Sequence, residues 1–360
     1  MPSDKPVCAG LVERIGIAGS GVENHEQALQ QVLDSLSTLG VIQSPEEIEV
    51  VGHRVVHGGE AFVGPAIITA EVKAQIKALF SLAPLHNQVS YTCIEVAEKT
   101  FPAAQQVAVF DTAYHQTLPD YAYRYSIPKK YYNKERIRKY GFHGTSHKYV
   151  GQQAAEFLGK AESKIITIHL GNGCSMAALL NGKSIETSMG FGPLSGLMMG
   201  TRSGDIDPSV IFHLIDNEGY TAADVNHLLN KASGLQGMAG SNDMRDVHRF
   251  AAEGDEEAKL ALAVYAYRIK MTIGAYAAVL NGLDAIVFTA GVGENDKLLR
   301  AAVCKDLSYL GIVLDKEKNG QYNKETLEIN QADGKVKILI IPTNEEVEIA
   351  NQCYEMLVNK

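Results

Sequence analysis

Residues 164–188 read KIITIHL GNG CSMAALL NG KSIETS, three apolar runs separated by two glycine-containing turns. The first run, Lys164–Leu170, is rich in β-branched side chains, which favour a pleated, buried backbone. Gly171-Asn172-Gly173 and Asn181-Gly182 are hairpin signals when they stand between apolar stretches. The spacing predicts a three-stranded antiparallel meander over Lys164–Leu170, Cys174–Leu180 and Lys183–Ser188. Taken alone, a Gly-Asn-Gly turn is more often a plain hairpin than a binding loop.

Outward from this meander, strand-like and helix-like patterns alternate, which points to α/β architecture. Upstream, Glu47–Val56 and Val107–Phe110 read as strands and Glu71–Leu82 as a helix. Downstream, Glu256–Leu280 reads as a long helix and Asp284–Ala290 as a buried strand. That strand is expected to break at Gly291-Val292-Gly293, with a helix starting near Asn295. Lys335–Ile341 reads as a strand followed by a helix from Asn344 to Leu357, where Thr343 and Glu346 have capping-box spacing. There is no repeat and no long Pro/Ser linker, so a domain boundary must be compact, near residues 112–118.

The 360 residues are 46% hydrophobic, enough for two cores. With 42 Asp and Glu against 33 Lys and Arg, the chain offers no basic face for a phosphate backbone, and nucleic acid is not expected as a partner. The five cysteines are scattered without a Cys-x-x-Cys pair, which argues against a disulfide framework or zinc ribbon. The opening Met1–Pro6 carries no apolar stretch, and no later run reaches membrane-spanning length, so a cytoplasmic protein without a membrane partner is expected. His53 and His57, and His143 and His147, stand four apart. Each pair lacks the Cys or carboxylate that would complete a zinc set, so His53, His57 and His147 read as structural hydrogen-bonders.

Nine segments, in order along nearly the whole chain, resemble the acetate kinase family. They are His53-Arg-Val-Val-His-Gly-Gly-Glu60, Ala83-Pro-Leu-His-Asn87, Val109-Phe-Asp-Thr-Ala113, Tyr140-Gly-Phe-His-Gly-Thr-Ser-His147, Ile168-His-Leu-Gly-Asn-Gly173, Gly200-Thr-Arg-Ser-Gly-Asp-Ile-Asp-Pro208, Ser241-Asn-Asp-Met-Arg-Asp246, Phe288-Thr-Ala-Gly-Val-Gly-Glu-Asn295 and Pro342-Thr-Asn-Glu-Glu346. The resemblance implies the two-domain α/β fold of actin-like ATPases and sugar kinases (ribonuclease H-like), with an ATP cleft between domains. Residues 1–112 with 346–360 would form the first domain and 113–345 the second. It also implies reversible phosphoryl transfer between ATP and acetate, with propionate as the alternative acceptor, Mg²⁺ (or Mn²⁺) as cofactor, and a homodimer. A non-catalytic nucleotide-binding relative is the alternative from another class.

The resemblance also implies a role for each site residue. Arg54 and Arg202 would bind the carboxylate and the transferring phosphoryl group, a task suited to planar guanidinium forks. Asp111 would orient Arg54 or metal-bound water, because a carboxylate substrate is already ionised near neutral pH and needs no base. His143 would donate to the phosphoryl group in flight. His169, Leu170, Gly171, Asn172 and Gly173 would cradle phosphates, since glycines let backbone N–H groups approach closely. Asp243, Met244 and Arg245, with Gly291, Val292, Gly293, Glu294 and Asn295, would hold adenosine. Glu345 would help hold the metal. Val56, Leu85, His86, Phe142 and Pro193 would line the small carboxylate pocket.

The chain departs from the family pattern at its start. The family opens on a strand and an Asn-x-Gly-Ser-Ser-Ser turn, whereas Cys8–Gly16 corresponds to the family segment just after that strand. The expectation is a start set too far downstream, with a degenerate relative of little activity as the rival. Gly192 and Ser195, where Thr and Glu are common, and Gln88, where Pro is common, are smaller departures near the pocket.

Overall fold

The computed structural model describes residues 5–17, 21–83, 86–160, 162–321 and 325–358. The chain divides into two compact units, residues 1–114 with 344–360 and residues 115–343.

The first unit is built on strands β1 (Val50–Val55), β2 (Ala66–Ile67) and β3 (Gln105–Phe110), in the order β1-β3-β2. β1 runs parallel to β3 and β2 antiparallel to it. β3 alternates between two apolar layers. Ala108 and Phe110 pack with Val55, Phe62, Ile76 and Ile94, the Phe62 and Phe110 rings stacking at 4.1 Å. Val107 and Val109 pack with Cys353 and Ile349 of helix Glu345–Val358. A strand covered on both faces reads as a continuous apolar run, as this one does. The expected strand Glu47–Val56 starts later, because Pro45–Glu47 forms a 3₁₀ turn with Pro45 at its first position. The expected helix over 71–82 is Ala70–Ala78, where the Thr69 hydroxyl accepts from the Val72 N–H at 3.2 Å.

The second unit holds β4 (Lys164–Leu170), β5 (Cys174–Leu180), β6 (Lys183–Thr187), β7 (Ala285–Thr289), β8 (Leu327–Glu328) and β9 (Lys337–Ile340), in the order β6-β5-β4-β7-β9-β8. The meander is antiparallel, with Leu170 opposite Cys174, while β4–β7 and β7–β9 are parallel. β4 is paired on both edges and buried from Ile165 to Leu170. Among the described residues no helix is long and apolar enough to cross a membrane.

Two expectations are corrected. The chain enters a helix directly after β7, over Ala290–Asn295, and a second helix, Lys297–Cys304, follows. Ala290 takes the reversal in left-handed backbone (φ 64°), so Gly291-Val292-Gly293 is helical rather than a loop. A Cβ on Gly293 would lie 3.5 Å from Phe288 and 3.8 Å from Leu170, ordinary contact distances, so this helix packs directly on the β4–β7 pair. The start of the C-terminal helix is capped by Asn344, whose Oδ1 accepts from the Val347 N–H at 3.1 Å. Thr343 therefore makes no capping box with Glu346. Its N–H donates to Glu294 at 3.1 Å and its hydroxyl to Ser146 at 2.8 Å, so tertiary partners win over local spacing.

Glycine geometry ties the fold to the Arg202 segment. Gly234 has φ 63°, and a Cβ on it would lie 2.1 Å from the Met199 carbonyl oxygen and 2.7 Å from that of Arg202. Gly234→Ala is expected to cost roughly 2–5 kcal/mol in urea unfolding, from left-handed strain plus overpacking against backbone. Gly219→Ala, also at positive φ (73°) but facing open space, should cost only about 1 kcal/mol. Equal losses at the two sites would contradict this packing.

Among the described residues five histidines are buried: His53, His57, His115, His147 and His169. Burial disfavours the imidazolium and pushes the first four below their ordinary value, His57 and His115 to about 4. Between pH 4 and 6.5 the unfolded chain therefore binds more protons than the folded one, and stability rises with pH across that window. Urea midpoints should be level above pH 7 and fall below about pH 6.5, each histidine contributing at most about 1.4 kcal/mol per pH unit. A midpoint level down to pH 4.5 would show that these rings protonate without penalty.

Candidate active site

In the first unit, Arg54 on β1 and Asp111 just past β3 lie at the C-terminal ends of adjacent parallel strands, where open α/β sheets place their ligands. The Arg54 guanidinium grips Asp111 with two bonds, Nε to Oδ1 at 2.8 Å and Nη2 to Oδ2 at 2.7 Å. The Asp111 side chain is 2% exposed and Arg54 42%, so a buried carboxylate is neutralised by a cation that reaches solvent. Such a carboxylate would be costly without this partner. Asp111 first, then Glu345 and Glu346, hold the Arg54 guanidinium above its ordinary pKa against the opposing effect of burial. Glu345, in the first turn of the C-terminal helix, comes within 3.8 Å of Arg54 Nη2. Among the described residues no three His, Cys, Asp or Glu side chains gather as a closed metal site. Glu345 is a single hard oxygen donor, of the kind Mg²⁺ uses when waters and substrate phosphates supply the rest.

Val56 follows β1 and is half-buried, while His86 is exposed at the head of helix Asn87–Thr100. Leu85 lies outside the described residues. In the second unit, Phe142 is buried and its carbonyl accepts from His115 Nε2 at 3.0 Å. Pro193 is half-buried, and its carbonyl accepts from Arg202 Nη1 at 3.1 Å.

The β4–β5 turn is closed by the Gly171 N–H donating to the Gly173 carbonyl at 3.1 Å. His143, Arg202 and Gly173 converge there. A Cβ on Gly173 would lie 3.4 Å from His143 Nε2 and 3.5 Å from Arg202 Nη1. His143 sits in left-handed backbone (φ 56°) at the start of helix Gly144–Leu158, and its ring stacks on His169 at 4.2 Å. Burial lowers the Arg202 pKa, yet a guanidinium remains cationic near neutral pH. Gly200 holds the Arg202 segment against the turn through its N–H, which donates to the Asn172 carbonyl at 3.3 Å.

Beside this turn lies a cavity of about 750 Å³. Gly171 and Asn172 bound it on one side, Asp243, Met244 and Arg245 on another, and Gly291, Val292 and Asn295 on a third. Asp243 caps helix Met244–Ala252 and is held down at about 2, chiefly by its hydrogen bonds to Arg245. Gly293 and Glu294 do not line this cavity. On a helix, residues 291, 292 and 295 share one face, and 293 and 294 turn to the other. His169 and Leu170 are buried in the sheet, and Gly173 faces His143 and Arg202 instead.

The cavity also takes in residues outside the sequence motifs, His248, Asp296, Lys297 and Leu298, and Asn242, which lies in a motif but carries no assigned role there. His248 Nε2 lies 2.7 Å from Asp296 Oδ2, while Asp296 Oδ1 caps the next helix through Leu299 N–H at 2.9 Å. The Asp-x-x-Leu spacing of a helix start is the one local signal for Asp296. Ser175, Ser146 and Thr343 carry no such signal for a site role, yet they hold the ring positions. Ser175 Oγ lies 2.8 Å from both His143 Nδ1 and His147 Nε2. Ser146 Oγ lies 2.8 Å from His169 Nδ1 and accepts from Thr343.

The acetokinase family matches residues 13–351. The acetate kinase of Flavobacterium johnsoniae is 52% identical over 376 aligned positions, covering 100% of this chain and 95% of that protein. Among solved structures, Porphyromonas gingivalis acetate kinase superposes with a TM-score of 0.89 at 45% identity, covering 93% of this chain and 86% of that one. A propionate kinase from Francisella tularensis gives 0.86 at 45% identity, covering 91% and 84%. With a family match that spans most of its length and a relative at 52% identity, this chain belongs to the acetokinase family.

Proposed function

We propose that this protein is an acetate kinase, transferring the γ-phosphoryl group of ATP reversibly to acetate to give acetyl phosphate and ADP. The observation that carries this reading is the cavity of about 750 Å³ that ends at the Gly171–Asn172 turn and is walled by Asp243-Met244-Arg245 and the helix face of Gly291, Val292 and Asn295. Backbone N–H groups at a glycine turn suit phosphate, and a roomy, partly apolar cavity beside it suits a nucleoside. The assignment of acetate as acceptor is supported by the 52% identical acetate kinase.

The chemistry asks for positioning and charge compensation. One acetate oxygen attacks the γ-phosphorus in line, the bond to the bridging oxygen breaks, and its electron pair leaves with ADP. Acetate is ionised at neutral pH, so no proton has to be removed from it. In this reading Arg54 binds the acetate carboxylate and Arg202 the transferring group. Asp111, with both oxygens committed to Arg54, fixes that guanidinium in place rather than acting as a base. His143 donates a hydrogen bond to a phosphoryl oxygen. His169, Gly171, Asn172 and Gly173 serve the phosphates, with Leu170 contributing backbone alone, and Glu294 and Gly293 support the nucleotide helix from its far side. Val56, Leu85, His86, Phe142 and Pro193 bound the methyl group. Glu345 would hold Mg²⁺ or Mn²⁺, which neutralises charge on the nucleotide phosphates when bound. The homodimeric state and the cytoplasmic location belong to the same proposal and rest on the family membership.

The test is acetyl phosphate formation from ATP and acetate, trapped as the hydroxamate. Arg54→Ala and Arg202→Ala should each lower kcat by roughly 10²–10³-fold, the cost of removing a charge-stabilising donor. Arg54→Lys should rescue Arg54→Ala only weakly, because an ammonium cannot make the two-bond grip on Asp111. Acetate should exceed propionate in kcat/KM by roughly tenfold or more, the value of one methylene in a small pocket. Chelation of divalent ions should abolish turnover, and Mn²⁺ should restore it. A protein that binds ATP but yields no acyl phosphate with either acid would overturn the reading.

A further inference from the structure

We propose that Asn319 is a positioning residue for the nucleotide. By orienting the buried guanidinium of Arg300, it fixes the kink between helices Ala290–Asn295 and Lys297–Cys304 and so sets the affinity for ATP and ADP from behind the cavity wall. The inference rests on the nucleotide reading of the cavity for its purpose, and on the packing behind the wall for its substance.

Six of the thirteen residues that line the cavity lie on one stretch of chain: Gly291, Val292, Asn295, Asp296, Lys297 and Leu298. The stretch is kinked at Asp296, which ends the first helix and begins the second in non-helical backbone (φ −94°, ψ 87°). The angle at this kink therefore sets the shape of nearly half of the wall. A helix end leaves its last carbonyls without partners inside the helix, and a cationic side chain can supply them. Arg300 does so here. Its Nη1 donates to the Gly293 carbonyl at 2.9 Å and to the Glu294 carbonyl at 2.8 Å. Because Arg300 belongs to the second helix, these bonds tie the two helices together across the kink.

Arg300 is 2% exposed, and its four hydrogen bonds among the described residues all go to neutral oxygens. Two of those oxygens belong to Asn319. Nε donates to Oδ1 at 2.8 Å, and Nη2 donates to the main-chain carbonyl at 3.0 Å. Burial pushes Arg300 down to about 10, with Asp296 and Cys304 opposing it. The guanidinium thus keeps its charge near neutral pH, and a buried charge needs each acceptor it has. Asn319 is buried and is oriented in turn, since its Nδ2 donates to the Lys297 carbonyl at 2.9 Å, on the other side of the kink. Only this orientation of the amide serves both ends. A flip would set Nδ2 against the Arg300 Nε–H and Oδ1 against a carbonyl. The turn of helix that bears Asn319, Lys316–Asn319, is anchored by Asp315, whose Oδ1 accepts from the Glu317 and Lys318 N–H groups at 2.9 and 3.1 Å. Carbonyls 293 and 294 before the kink and carbonyl 297 after it are thus held by one buried pair of side chains. Neither Arg300 nor Asn319 lines the cavity, so a change at Asn319 reaches a nucleotide only through the wall.

The test uses the full chain. ADP dissociation constants are read by titration calorimetry in the presence of Mg²⁺, and kinetics by acetyl phosphate formation. Asn319→Ala should raise the Kd for ADP and the KM for ATP by roughly threefold to thirtyfold, the scale of a residue that acts through packing rather than contact. kcat at saturating ATP and the KM for acetate should stay within about twofold, a split that a general loss of structure would not give. Amide hydrogen exchange, read without nucleotide, tests the clamp itself. In Asn319→Ala, exchange over residues 291–301 should speed up roughly tenfold or more, while the β4–β5 hairpin keeps its wild-type protection. Asn319→Asp keeps the acceptor for Arg300 and loses the donor to Lys297, so both readouts should move the same way by less. If Asn319→Ala fails to fold, Asn319→Asp carries both. Unchanged exchange over 291–301 in the variants overturns the clamp. Faster exchange with an unchanged Kd for ADP overturns its role in binding, as does a fall in kcat with affinity kept. If the wild type binds no ADP, the nucleotide reading of the cavity fails while exchange still decides the clamp.

Discussion

β4 is held from both edges, by β5 and β7, and is buried along almost its whole length, so its register cannot slip. The groups at its end are therefore fixed in space. Thr167 and His169 are two residues apart and share a face, and Ser175 joins them because it stands opposite His169 across the β4–β5 pair. Helix Gly144–Leu158 lays Ser146 and His147 onto this polar face, producing a buried layer of hydroxyls and imidazoles between helix and sheet. Such a layer is stable only when every member is paired, and that requirement gives the ring orientations their uniqueness. The turn at Gly171–Gly173, the His143 ring and the Arg202 segment all inherit their positions from it.

The first unit obeys a comparable constraint. Parallel pairing of β1 with β3 puts Arg54 and Asp111 at neighbouring strand ends. Asp111 cannot be buried there without a cation, and Arg54 is the cation that reaches it with two parallel bonds. The Arg54 guanidinium is thus held in place by the fold before any ligand arrives. Such preorganisation spares a bound ligand the cost of ordering a long, flexible side chain.

The apolar interior serves these sites by close approach. Helix Ala290–Asn295 packs onto the β4–β7 pair near Leu170 and Phe288, and Gly234 accepts the Met199 and Arg202 carbonyls at distances no larger residue could tolerate. Gly234 thereby sets the position of the segment that carries Arg202. Substitutions at such positions act on function through backbone displacement.

The meander over 164–188 and the buried strand around Val107–Phe110 were legible in the sequence, because period-two apolar patterning and Asn-Gly turns are local properties that act within a few residues. The ordered motifs likewise named the family, and the structure brings Arg54 against Asp111 and His143 near Arg202. The start of helix Ala290–Asn295 was not legible, since it depends on Ala290 adopting a left-handed backbone that packing, not propensity, imposes. Nor was the choice of Asn344 over Thr343 as helix cap, because Thr343 is taken by Glu294 and Ser146, far away in the chain. The hydrogen-bonded series Thr167–His147–Ser175–His143 joins residues separated by up to 32 positions, and only the register of β4 with β5 and the docking of one helix bring them together. Local sequence determined which chemical groups this protein carries and which elements bear them. Tertiary structure alone decided which hydrogen-bond partners those groups face, because pairing in a buried layer is a property of register and packing rather than of neighbours along the chain.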